Sequence, residues 1–164
     1  MGLIRKYDAT AEIGVPVTLT DAVEGFDDGS VRFPNLEMLL ATVAVARVLI
    51  PVQFTGAEIR FLRHALDRTG AEFAEAIDLS DKSVVSRWEN DRVRPGGFTE
   101  KVIRQLVLNE LGPRAPGIPV PGNAIPSMRI AARPLAEGPV EIALEWREGS
   151  AAGEERSQHY AAAA

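Results

Sequence analysis

The chain contains no cysteine. That excludes disulfides, thiolate nucleophiles and cysteine-ligated zinc together. Histidine is nearly as scarce, with only His64 and His159 in 164 residues, so neither a metal site nor a cofactor is expected. Long hydrophobic runs are missing too. The most apolar stretch, "LEMLLATVAVARVLI" from Leu36 to Ile50, is too short for a bilayer and carries Glu37 and Arg47. No basic start, apolar core and small-residue cleavage site mark the N-terminus. A soluble, cytoplasmic protein without membrane contact is the expectation. A Gly-rich phosphate loop and a nucleophile elbow are also absent. The remaining acid–base candidates are weak: His64 with Asp67 falls on the surface of a bundle helix, and Asp27 and Asp28 lie in a turn that Asp favours for backbone reasons. These absences argue against an enzyme.

There is no overall excess of base either, since the formal net charge is -5. The acid is unevenly placed. Residues 1–54 hold four Lys/Arg against seven Asp/Glu and residues 115–164 hold four against six, whereas residues 55–114 balance ten against ten. Nucleic-acid binders usually concentrate base on one face, because phosphate contacts dominate affinity. The acidic total neither supports nor excludes DNA, and only the local pattern can decide.

Three parts follow along the chain. In residues 1–52, "IGVPVTLTDAV" alternates Val15, Val17 and Leu19 with polar or smaller residues, the period of a half-buried strand. "EGFDDGS" turns the chain and "VRF" returns as a short strand. Asn35 then caps the apolar helix that Pro51 ends. That helix is apolar nearly all round and needs cover, either as a dimer interface or beneath its own hairpin. Residues 55–111 read as four short helices. Two open on the same capping box, "TGAE" at Thr55 and again at Thr69, while Thr99 is the expected cap of the last. Residues 112–164 begin with five Pro and three Gly in fifteen positions, an expected stiff linker. A hairpin pairing Met128–Ala132 with Val140–Trp146 and a disordered tail are expected beyond it.

The stretch "SDKSVVSRWENDR" carries the function. As a helix, it turns Val84, Val85 and Trp88 inward and Lys82, Ser83, Ser86 and Arg87 outward. Those outward types suit base edges and phosphates, Arg above all for guanine. Glu89 in the last turn opposes the helix dipole and needs a cation, for which Arg63 is the candidate. Arg92 and Arg94 flank the following turn and are candidate phosphate ligands.

"EIRFLRHAL…AEFAEAIDLSDKSVVSRWEN" resembles the phage-repressor (XRE/Cro-like) helix-turn-helix family. Within it, the stretch looks most like the branch typified by the antitoxin of the motility quorum-sensing regulator system. The resemblance covers about residues 55–108 and rests on "EIRFLR", Ala74 and "SRWEN". It implies that Ser83 and Arg87 read bases and that Trp88 is core. Three departures stand out. Gly70 or Ala71 replaces a phosphate-gripping Gln, Asp91 replaces a Gly, and one extra residue lies between Ser80 and Ser86. The branch's N-terminal zinc domain has no cysteine counterpart here. The fold expected is mainly α: a four-to-five-helix bundle with a small N-terminal α+β element and a C-terminal hairpin. The function expected is a homodimeric, sequence-specific regulator of double-stranded DNA, a repressor or antitoxin-like protein with a toxin or other protein partner. The alternative is a protein-binding adaptor that kept the fold and lost DNA binding.

Overall fold

A computed structural model describes residues 1–134, 137–148 and 158–163. Strand β1 (Gly2–Asp8) leads through the single turn α1 (Thr10–Ile13) into β2 (Val17–Gly25). Asp8 makes the corner by accepting from the Thr10 amide and hydroxyl, at 3.0 and 2.5 Å. The short strand β3 (Val31–Arg32) pairs antiparallel with the far end of β2. Helix α2 (Leu36–Val48) follows, with the Asn35 side chain accepting from the Met38 amide at 3.1 Å. Helices α3 (Gly56–Ala65), α4 (Gly70–Ala76), α5 (Ser83–Glu89) and α6 (Gly97–Leu111) come next, and the chain ends on β4 (Ile142–Glu148) and β5 (Gln158–Ala162).

The protein is therefore α/β, not the mainly α helix-turn-helix bundle that the sequence predicts. Six helices share the described residues with one five-stranded mixed sheet. The decisive contact is long-range. β2 runs parallel to β4 in the register Val17 to Ile142 and Leu19 to Leu144, so these four buried side chains belong to one core. Each strand signals itself locally, but no local pattern announces that residues so far apart will pair.

The C-terminal part differs from expectation in the same way. Met128–Ala132 does not pair with β4; Ala131 instead forms one parallel bridge with Val52. The partner of β4 is β5, antiparallel, with Trp146 opposite Tyr160. The expected disordered tail thus contributes a strand whose Tyr160 is fully buried; residues 149–157 of that tail lie outside the described residues. Nor is the Pro/Gly segment a free linker, because Ala115 and Ile125 are buried. At Gly117 a Cβ would lie 1.9 Å from the Tyr160 carbonyl oxygen, so only glycine lets this segment approach β5.

Helix α2 explains its own apolarity. It packs against α3, α6, β4 and β5, and Leu39, Val43, Ala44 and Val48 are fully buried within the single chain. Of the two covers expected for this helix, a second copy or its own hairpin, the chain supplies neither alone: α2 is packed within the chain by elements distant in sequence. α6 also starts earlier than expected, with Gly96 rather than Thr99 at its N-cap.

Between α2 and α3 lies a charged hub. Arg47, Glu58, Glu100 and Arg104 are all buried. Arg47 donates to both oxygens of Glu58. Arg104 donates to the carbonyls of Val48, Ile50 and Val52 and to Glu100, each at 2.7 Å. The Phe54 ring lies against both guanidiniums, its centroid 4.9 Å from Arg47 and 4.2 Å from Arg104. Glu58 also accepts from the Val140 amide just before β4, at 3.2 Å. The hub ties the helices to the sheet.

Candidate nucleic-acid interface

Helices α3, α4 and α5 are set by their caps. Thr55 and Glu58 close a reciprocal capping box on α3, as Thr69 and Glu72 do on α4. Phe73 and Ala74 bury the inner face of α4. Asp78 takes a left-handed conformation, φ 60°, and turns the chain towards α5.

α5 divides into two faces. Val85 and Trp88 are 1% and 5% exposed, and Val84 is half-buried. Lys82, Ser83, Ser86 and Arg87 are exposed. Glu89 is nearly buried between two arginines: Arg63 donates to its two oxygens at 2.5 and 3.3 Å, and Arg60 approaches to 3.6 Å. Arg63 thus ties the end of α3 to the last turn of α5, and it also donates to the Arg68 carbonyl in the α3–α4 turn at 3.0 Å. The negative charge of Glu89 is thus compensated where the helix dipole disfavours it.

Asp91 closes the same junction. It adopts φ 55° and accepts from the Gly56 amide at 2.7 Å, so its carboxylate serves the first turn of α3. Gly56 permits the approach, because a Cβ there would lie 2.5 Å from the Glu89 carbonyl oxygen.

The structure does not bring all the expected DNA-contacting residues together. Arg94 is half-buried and turns inward, donating to the Phe54 carbonyl at 3.0 Å, with its Nε and Nη2 enclosed and unpaired among the described residues. It is removed from the outer face. Arg92 stays exposed, and its amide caps α5 by donating to the Arg87 carbonyl at 3.0 Å. The Ser83 hydroxyl is engaged by Asp81 at 2.6 Å, which also accepts the Ser83 amide at 2.9 Å. Those two hydrogen bonds, hydroxyl first, hold the Asp81 carboxyl below its ordinary pKa. Arg87 lies 3.6 Å from the same carboxylate. Asn90 donates to the Ser86 carbonyl at 2.7 Å and leaves the Ser86 hydroxyl near the surface.

Sequence reasoning missed Asp81. With Glu75 and Asp78 it lines an open depression of about 650 Å³ between α4 and α5, beside Lys82. The sequence signal is ambiguous: Asp-x-Ser/Thr occurs at Asp8–Thr10, Asp28–Ser30, Asp67–Thr69, Asp78–Ser80 and Asp81–Ser83, and the first, second and last share one arrangement. At those three the carboxylate accepts from both the amide and the hydroxyl two residues on.

No cluster of three or more metal-ligating side chains occurs among the described residues. No helix among them is long and apolar enough to cross a membrane. Comparison of the chain with protein-family models, with curated proteins and with solved structures gives no match.

Proposed function

We propose that this chain is a cytoplasmic, sequence-specific DNA-binding regulator that acts as a homodimer. The observation that carries the reading is the division of α5. Val85 and Trp88 anchor the helix in the core, while Lys82, Ser86 and Arg87 project outward from a helix braced at its far end by the pair Arg63–Glu89. Arg87 has two roles in prospect: an ion pair with Asp81 in the free protein, and guanine acceptors in the complex. Exchanging the carboxylate for a base edge makes binding conditional on a matching partner, which favours specificity over indiscriminate phosphate attraction. Seven helical residues present few outward side chains, so two copies engaging half-sites one helical turn apart supply the remaining affinity.

A gel shift with the upstream region of the protein's own gene, against scrambled DNA at moderate salt, tests this. Arg87→Ala should weaken cognate binding about tenfold to a hundredfold, and Arg94→Ala should leave it unchanged. Equal and poor binding of cognate and scrambled DNA by wild type and Arg87→Ala would defeat the reading. A second reading would then take its place. Glu75, Asp78 and Asp81 line one depression, and such a surface favours a basic segment of a protein partner, as in an adaptor or an antitoxin-like protein.

A further inference from the structure

The sheet carries a second feature, independent of α5. Between β1 and β2 the pairing jumps from Ile4–Val23 to Lys6–Thr20, so Asp21 and Ala22 together oppose Arg5. This is a β-bulge, a device that re-aims a side chain. Asp21 sits on it at φ 52°, a conformation that a non-glycine residue adopts only at a cost. Its carboxylate is exposed and makes no hydrogen bond or ion pair among the described residues.

Asp21 lines a groove of about 540 Å³ whose walls include Leu3, Phe33 and Trp146. That volume lies within the range of small-molecule sites. The aromatic wall is fixed in place. Tyr160, fully buried, meets Trp146 edge-on at 4.6 Å and 65°, and donates its hydroxyl to the Pro34 carbonyl. Among the described residues the one cation lining the groove, Arg32, is paired with Glu24 at 2.6 Å. An aromatic wall and an uncompensated carboxylate therefore remain in one concavity.

From this juxtaposition we infer that the groove binds a small organic cation, an amine carried on an aromatic or alkyl body. Asp21 takes the charge, and Trp146 and Phe33 take the body and add the attraction of an aromatic face for a cation. An anion of the same shape is repelled by Asp21.

Isothermal titration of the full chain with phenethylamine, and separately with phenylacetate, tests the inference. Phenethylamine should bind saturably and phenylacetate should not. Asp21→Asn, which keeps a residue tolerant of positive φ, should weaken the amine about tenfold or more without loss of fold, as judged by circular dichroism. Trp146→Leu should weaken it as well. Asp21→Gly should abolish the preference for the amine while raising the melting temperature, a pairing of effects that a purely structural aspartate would not give. Absence of saturable phenethylamine binding, equal binding of phenylacetate, or unchanged affinity in Asp21→Asn would overturn the inference.

Discussion

Arg104 has no exposed surface, yet it brings a guanidinium into the middle of the protein. Burial lowers its pKa, and the hydrogen bond it donates to Glu100 opposes that shift. Three carbonyls and one carboxylate surround it. Removing the cation would leave Glu100 a buried, unpaired charge and take from the Val48 carbonyl its side-chain donor, whereas Ile50 and Val52 would still accept from Arg47. Arg104→Met should therefore destabilise the protein by about 3–5 kcal/mol in urea denaturation. Arg104→Lys, which keeps the charge but not the planar fork, should fall between the two. Little of this hub is legible in the sequence. Glu58 reads as half of a capping box, which it is, but its pairing with Arg47 and its bond to Val140 depend on where distant segments come to rest. Arg94 shows the reverse error: a loop arginine suggests phosphate, and only the backbone of Phe54 reveals what it holds.

At the scale of elements, the sequence is most informative where the signal is local. The capping boxes at Thr55 and Thr69 locate the starts of α3 and α4, and the inward pair Val85 and Trp88 orients α5. β1 escapes because its large apolar residues, Leu3, Ile4 and Tyr7, do not alternate as a half-buried strand's do, and β5 because Gln158–Ala162 carries only one large apolar residue, Tyr160. The α3–α5 junction depends on the missing side chain of Gly56. Gly56→Ala would force its new methyl into the carbonyls of Trp88 and Glu89, backbone atoms with little freedom to retreat. A loss of about 1–3 kcal/mol in thermal or urea unfolding is expected, although alanine is the better helix former. An unchanged melting temperature would show that α5 can slide outward without penalty.

Over the whole molecule, residues near both ends of the chain complete one sheet, and the C-terminal strand belongs to the core. Tyr160 makes that visible to titration. Burial raises the pKa of its phenol above the ordinary 10, so the folded state favours the neutral form. The stability this represents is fully present below about pH 10, where an unfolded tyrosine is also neutral. It is lost as pH rises through the folded value. Alkaline unfolding followed by circular dichroism should therefore begin above about pH 10, and Tyr160→Phe should move its midpoint upward. The pairing of Val17 with Ile142 has a further consequence, in time rather than in space. As the chain leaves the ribosome, β2 emerges long before β4 exists. The helices of residues 56–111, rich in local contacts, can form at once, whereas β2 must keep one edge open until residues 142–148 have been made. For that interval Val17 and Leu19 lie along an unpaired edge. The slow, aggregation-exposed step in building this sheet is thus its closure by β4, well after its first strands exist.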